Sequence, residues 1–332
     1  MSFPSHFHSR LAPALQAPDL RVVPIDSIRV HEDFDPSRCP ALRDAIAQQG
    51  QLANPVIVGQ LSTTAPGNHR FVHLDGANRL AVLRALGCTR VVVQVVDLYQ
   101  PQQVGLATWA HRTQVDPIAF LAYLQSLSGA HVQPIAGDVS EAPAAAACIF
   151  LNNGAYQLTL RQPDVLTWVE TLRAIVAFYS TRLERHKLPL VPEPQAVARH
   201  VRTGAHAERM ALITFAPPPI ESFLALALQG LTAPPGVTRF MLYGGRALGL
   251  NVALDCLGAG ACAARVDACL VACREVLPVI VPGPCWVKEY AGWRDYDEPL
   301  LLYSAFRINS GLDNRRRLAP LARRTWAPHP EA

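Results

Sequence analysis

Phe71-Val72-His73-Leu74-Asp75-Gly76-Ala77-Asn78-Arg79-Leu80-Ala81-Val82-Leu83-Arg84-Ala85-Leu86-Gly87 is the stretch on which the fold turns. Phe71, Val72 and Leu74 suit a short strand. Asp75-Gly76 is a turn signal, because glycine accepts backbone angles that other residues avoid. Leu80, Leu83 and Leu86, with Val82 beside them, form the buried face of a helix. Gly87 then closes that helix. The unpaired N–H groups of its first turn point at whatever sits over Asp75-Gly76-Ala77-Asn78, and with the helix dipole they favour an anion such as phosphate. Arg79 adds a forked, permanent charge. An ordinary strand-turn-helix connection with an exposed Arg79 reads equally from the same residues.

Working outward, the chain alternates short strands and helices. Arg21-Val22-Val23-Pro24-Ile25 opens the ordered part and Asp26-Ser27-Ile28 turns it. His31-Glu32-Asp33-Phe34-Asp35-Pro36 holds three carboxylates in four positions. Such a cluster is either a solvated acidic loop or the source of a base or metal ligand. Ala41 to Gln49 reads as a short helix ended by Gly50, and Asn54-Pro55-Val56-Ile57-Val58 as a buried strand. Ser62 to His69 is a polar connection. The β-branched run Val91 to Val96 suits a strand covered on both faces. Together these predict a compact α/β unit.

Beyond it, Thr108-Trp109-Ala110-His111-Arg112 places a Trp that is costly to expose. Pro117 to Leu127 turns helical, and residues 129–148 read as a Gly-, Pro- and Ala-rich loop. Asp164 caps an amphipathic helix built on Val165, Leu166, Trp168, Val169, Leu172, Ile175, Val176 and Tyr179. Leu188 to Pro194 is a Pro-rich break. Ala211 to Phe215 is a strand, and Ile220 to Gln229 a helix ended by Gly230. In Pro234-Pro235-Gly236-Val237-Thr238-Arg239-Phe240 a rigid turn delivers a hydroxyl and a guanidinium together, a pair suited to carboxylate or phosphate. The same residues also read as a β-turn and strand 237–243 with Arg239 at the surface. Cys262, Cys269 and Cys273 share a helical face as small buried residues, without metal-type spacing. The acidic turn Asp295 to Pro299 precedes Leu300-Leu301-Leu302-Tyr303, read as the last strand.

At 332 residues, two domains are expected rather than one. No apolar run approaches the ~18 residues of a membrane span. The N-terminus lacks a basic region followed by an apolar one, so no signal peptide is expected. The eight cysteines form no CxxC pair, which predicts a reduced, cytoplasmic protein. A net charge of +4 does not mark a dedicated nucleic-acid binder, although Arg315-Arg316-Arg317 and Arg323-Arg324 leave DNA binding open as a secondary role.

Three groups of segments, in order, carry a family resemblance. The first comprises Val23-Pro24-Ile25, His31-Glu32, Asn54-Pro55-Val56-Ile57-Val58, Leu74-Asp75-Gly76-Ala77-Asn78-Arg79 and Leu83 to Cys88. It resembles the ParB/sulfiredoxin-like superfamily, and within it the free L-serine kinases. Thr108-Trp109-Ala110-His111 and Pro235 to Phe240 with Gly245 to Leu250 are similar to segments of that group. The nearer likeness is to the kinase encoded with staphyloferrin B siderophore synthesis, the more distant one to the archaeal free serine kinase. A sulfiredoxin would need a Cys in the phosphate loop, and none lies between Cys39 and Cys88. A ParB-type DNA-binding regulator would carry a helix-turn-helix and a Gly-Glu-Arg-Arg box, for which neither pattern is found. A non-catalytic sensor of nucleotide or amino acid is the remaining alternative.

The resemblance implies phosphoryl transfer from ATP, or ADP, with Mg²⁺, to the hydroxyl of free L-serine. The product, O-phospho-L-serine, would serve siderophore precursor synthesis. It casts Glu32 as the catalytic base and Asp75 as a residue that orients serine or holds Mg²⁺. Gly76, Ala77, Asn78 and Arg79 would cradle phosphates. Trp109 would wall the serine pocket, and Thr238, Arg239 and Arg38 would take the carboxylate. No protein metal site is assigned. Asn78 stands where the family commonly has His. The expected layout is α/β: a flexible arm (1–18), a ParB/sulfiredoxin-like nucleotide-binding domain (19–114), a mainly helical segment (115–205), a smaller α/β lobe (206–312) and a basic tail (313–332).

Overall fold

The computed structural model describes residues 17–61, 69–135, 145–162, 164–179, 183–203, 206–290, 292–304 and 308–309. The arginines at 315–317 and 323–324, most of the N-terminal arm and the connection at 62–68 lie outside the described residues. Seven α-helices are found among those described: α1 (Cys39–Gln49), α2 (Ala77–Ala85), α3 (Pro117–Ser126), α4 (Val165–Tyr179), α5 (Pro194–Val201), α6 (Ile220–Leu228) and α7 (Ala263–Glu275). None is long and apolar enough to cross a membrane.

The first sheet has five strands, in the order Asp19–Pro24, Arg90–Val96, Val56–Gln60, Phe71–Asp75, Ile28–Arg29. The β-branched run becomes Arg90–Val96, buried from Val91 onward and bonded on both edges. Its neighbour Phe71–Asp75 feeds α2 through Gly76 at φ 111°. Leu80 and Leu83 of α2 and Ile46 of α1 seal one core with Val58, Val92 and Leu52. Burying each such aliphatic side chain contributes roughly 1.5–3 kcal/mol. Gly87 takes the left-handed conformation past the end of α2, as the sequence predicts.

The second sheet has six antiparallel strands: Leu183–His186, Ala110–Gln114, Met210–Phe215, Ala147–Leu151, Gly154–Leu160, Ala130–Pro134. α4 packs Trp168, Leu172 and Ile175 into its core, and Asp164 accepts the N–H groups of Leu166 and Thr167 as a cap. The segment 115–205 therefore holds the expected helices and also four strands. This sheet draws strands from both sides of the expected boundaries at 114/115 and 205/206. The loop expected over 129–148 is corrected at both ends, by Ala130–Pro134 and Ala147–Leu151. Ala147–Leu151 is buried at every position, and the alanines leading into it hid a central strand. Residues 136–144 lie outside the described set.

Two short ladders tie the regions together. Thr238–Leu242 pairs with Val104–Thr108, and Val252–Ala253 with Gln51–Leu52. The chain beyond 260, whose role the sequence leaves open, closes the first core through Leu270 and Cys273 of α7. It then forms the antiparallel pair Cys285–Glu289 and Gly292–Tyr296. Leu300–Leu302 is followed by one further short strand, Ile308–Asn309. Cys256 and Cys269 meet as a disulfide, against the expectation of eight reduced thiols, while Cys262 is exposed and Cys273 is buried and free. Their separation of 13 residues follows no short motif that would have announced the pair.

Candidate active site

A cavity of about 670 Å³ opens where these units meet. Its wall draws on the acidic loop at 32–38, the strand-to-helix turn at 73–79, residues 185–187, the turn at 235–240 and the hairpin at 286–295, with Leu42, Asn54, Trp109 and Arg246 from elsewhere in the chain.

The acidic loop is sorted by its partners. His31 O accepts from Ala233 N–H at 2.7 Å, and Asp33 N–H donates to Ala233 O at 2.9 Å, so the loop runs beside the Pro-Gly turn. Asp33 faces out to Arg173, 2.9 Å away, and to the Thr232 hydroxyl at 2.6 Å. Glu32 faces in. Its Oε1 accepts Gly236 N–H at 3.0 Å, and its Oε2 accepts Thr238 N–H at 3.0 Å and the Thr238 hydroxyl at 2.5 Å. Burial pushes the Glu32 carboxyl up from its ordinary value, against the pull of these donors and of Arg185. A raised, held carboxylate on a cavity wall is suited to accepting a proton.

Thr238 is thus spent on Glu32. Its hydroxyl also lies 2.8 Å from His31 Nε2. His31 Nδ1–H donates to His73 O at 2.5 Å, and burial with the neighbouring His73 holds this imidazole neutral. One hydroxyl proton therefore serves two acceptors. Arg239 crosses the Trp109 ring at 5.0 Å and bonds Asp297 through Nη2, leaving other donors of its fork on the cavity. Trp109 is half-buried, with its backbone N–H donating to Val237 O at 2.9 Å. Arg38 sits exposed on the rim at the start of α1.

At the opposite wall, the N–H groups of Ala77, Asn78 and Arg79 have no acceptor among the described residues, as at any helix start. The side chains there do other work. Asn78 Oδ1 accepts Asp35 N–H at 2.7 Å, pinning the acidic loop to α2. The Arg79 fork bonds the carbonyls of Asn54 and Pro55, with Asp75 3.4 Å away. Both carbonyl bonds are donated by Nη1, so backbone carbonyls hold one edge of the fork while the residue lines the cavity.

Asp75 is the most heavily paired carboxylate. Arg246 approaches it to 2.6 Å and Arg294 to 3.0 Å, besides Arg79. Burial alone would raise its pKa, but Arg294, Arg246 and Arg79 hold it well below the carboxylate range. Arg246 also bonds Glu298 at 2.7 Å. Among the described residues no group of three or more His, Cys, Asp or Glu side chains could hold a metal ion. A carboxylate facing three guanidinium groups does not suit Mg²⁺, so no protein ligand for that ion is assigned.

His111 locks the turn from behind. Its Nε2–H donates to Gly236 O at 2.8 Å, and the Tyr179 hydroxyl donates to its Nδ1 at 3.0 Å. Burial lowers both His111 and His73 to about 4. The unfolded chain, with histidines near 6.5, therefore binds more protons between about pH 6.5 and 4, and stability falls as pH falls through that window. The expected loss is up to about 3 kcal/mol per imidazole by pH 4. Urea midpoints at pH 7 and 5 check this, and equal midpoints would contradict it.

No protein-family model matches the chain. It is 28% identical over 240 residues to the ATP-dependent L-serine kinase SbnI of Staphylococcus aureus, covering 72% of this chain and 84% of that one. An ATP-dependent L-serine kinase of Staphylothermus marinus is 31% identical over 88 residues, 26% of this chain and 33% of that one. The chain resembles the free L-serine kinases.

The solved structures share the fold of those proteins. A C-terminally truncated SbnI from S. aureus superposes with a TM-score of 0.59 at 23% identity, over 75% of this chain and 93% of its own. A free serine kinase in complex with AMP gives 0.55 at 17% identity, over 73% and 95%. The expected α/β class is thereby met, in the fold of these two proteins. Sequence reasoning missed Arg185, Lys187, Arg246 and Arg294. Arg246 and Asp75 lie 171 residues apart, so no local pattern links them.

Proposed function

We propose that the protein transfers a phosphoryl group from ATP to the hydroxyl of free L-serine, giving O-phospho-L-serine. The observation that carries this reading is a pair of features lining one cavity. They are a half-buried carboxylate with a raised pKa, Glu32, and the helix N-terminus at Gly76-Ala77-Asn78-Arg79. A serine hydroxyl is a weak nucleophile, and a placed carboxylate accepts its proton as the phosphoryl group arrives. The orphan N–H groups suit the nucleotide's phosphates. Gly76 is what the turn itself requires, since at φ 111° a Cβ would also meet the Arg79 guanidinium at 3.0 Å and Val56 at 3.1 Å.

In this reading Arg239 takes the serine carboxylate, Trp109 walls the amino acid, and Arg38 guards the rim. Asp75, ionised and held by three guanidinium groups, orients the serine indirectly by fixing Arg246 and Arg294 on the cavity wall. Mg²⁺ enters with the nucleotide, held by its phosphates. ADP is the alternative donor, and a siderophore precursor the proposed fate of the product. The relatives do not favour a DNA-binding regulator.

The test is direct. Purified protein with ATP, Mg²⁺ and L-serine is expected to yield O-phosphoserine, read by ³¹P NMR or mass spectrometry. Arg239→Ala in the same assay is expected to raise KM for serine by about tenfold or more, the scale of a lost charge-assisted hydrogen bond, with nucleotide affinity unchanged. No product from either ATP or ADP would overturn the proposal.

A further inference from the structure

The cations on the cavity wall are nearly all committed. Arg79 is bonded to two carbonyls, Arg246 to Asp75 and Glu298, Arg294 to Asp75, Arg239 to Asp297, and Lys187 to Asp295 and Asp297. Arg38, exposed on the rim, makes no side-chain hydrogen bond among the described residues; Arg185 differs from all of these in being unpaired where it is buried. None of its nitrogens makes a hydrogen bond among the described residues, and its Nε is buried without a partner. The nearest carboxylate oxygen, Asp35 Oδ2, stands 3.9 Å from Nη2, beyond hydrogen-bond reach.

The fold holds this side chain in place deliberately close to the turn. Arg185 lies on the strand Leu183–His186, opposite His111 in the second sheet. Gly236 faces it at φ 79°, and a Cβ at that position would collide with Arg185 Nε. Gly236 is also the residue whose N–H holds Glu32. On its other side Arg185 reaches toward Asp35, whose N–H is held by Asn78 at the start of α2. The guanidinium therefore sits between the carboxylate and the helix N-terminus. The charge of Arg38 is near enough to depress its pKa, after burial, so an anion placed here relieves two cations at once.

We infer that Arg185 is a further catalytic residue, contacting the phosphoryl group as it passes from nucleotide to serine. The inference rests on the kinase reading. In the step, the bond from the terminal phosphorus to the bridging oxygen breaks, and its electron pair leaves with the nucleoside diphosphate. A bond forms between serine Oγ and phosphorus, and the serine proton goes to Glu32. Charge spreads over the three equatorial oxygens, which a planar fork of donors matches better than a point charge does.

The experiment compares wild type, Arg185→Gln and Arg185→Lys for turnover and for binding of ADP with and without aluminium fluoride, a mimic of the phosphoryl group in flight. Arg185→Gln is expected to lower kcat by about 10³-fold, the lower end of the effect of such an arginine, with KM for serine and affinity for ADP alone little changed. Arg185→Lys is expected to recover only part of kcat. Fluoride-dependent tightening of ADP binding is expected in wild type and not in Arg185→Gln. A kcat within about fivefold of wild type in Arg185→Gln would overturn the assignment and leave the kinase standing. If wild type makes no phosphoserine, the kinase reading falls, and with it the role of Arg185 in that reaction. If turnover stands but aluminium fluoride tightens ADP equally in wild type and Arg185→Gln, the contact with the phosphoryl group is refuted.

Discussion

Glu32→Gln is expected to lower kcat for serine phosphorylation by about 10²- to 10⁴-fold, the usual contribution of a positioned general base. The amide cannot take up the proton, and its NH₂ group would face donors already aimed at Glu32 from Gly236 and Thr238. The pH dependence follows from the same burial. The raised Glu32 pKa means that the basic form is lost as pH falls through a value above the ordinary carboxylate range. The acid limb of kcat/KM in wild type is thus expected above that range, and it should vanish from the residual activity of Glu32→Gln. Stability runs the other way. Because the folded state holds this proton more tightly than the unfolded chain, ionisation of Glu32 at neutral pH costs stability. The variant is therefore expected to keep its thermal midpoint while losing turnover. Full turnover in Glu32→Gln would remove the base from the mechanism even if the protein is a kinase.

The largest expected effect on stability belongs to Arg246→Met. Arg246 is 3% exposed, with Nε on Glu298, Nη1 on Asp75 and Nη2 on Phe240 O. Removing it leaves Glu298, itself buried, without its guanidinium. Breaking a buried ion pair from one side costs about 3–5 kcal/mol. That is a large part of the roughly 5–15 kcal/mol that holds a domain folded. Asp75 keeps Arg79 and Arg294, so the injury is expected to centre on the turn at 297–299. Arg246→Met with Glu298→Leu removes both charges and should recover most of the loss, since apolar replacement of a whole buried pair is often neutral. Urea unfolding of the two variants measures this. A single-variant loss below about 1 kcal/mol, the scale of a surface pair, would show that the cluster is not the strut described.

The strand-turn-helix at 71–87 was legible because each of its signals is local. A β-branched or aromatic run, a glycine at a left-handed position and leucines at helical spacing act within a few residues of one another. The turn at 234–240 was legible for the same reason, its Pro-Pro-Gly forcing one geometry. The direction of Glu32 was not, since it depends on pairing with Ala233, about two hundred residues away. Nor was the engagement of Asp75, whose partners come from residues 79, 246 and 294. Arg79 shows the limit most plainly. The sequence places it beside a phosphate seat, and only the packed structure reveals that the carbonyls of Asn54 and Pro55 take its Nη1 donors. The strand Ala147–Leu151 was obscured because a fully buried strand loses its alternation.

The hydroxyl of Thr238 has a last consequence. It owns a single hydrogen, while the Glu32 oxygen and the His31 ring nitrogen both require one. Whichever is served, the other lacks that hydrogen. Delivery of a single proton to this trio settles it: carboxylic acid, alcohol and imidazole can then all point head to tail. A substrate that sheds one proton on reacting thus finds a sink already shaped to receive it.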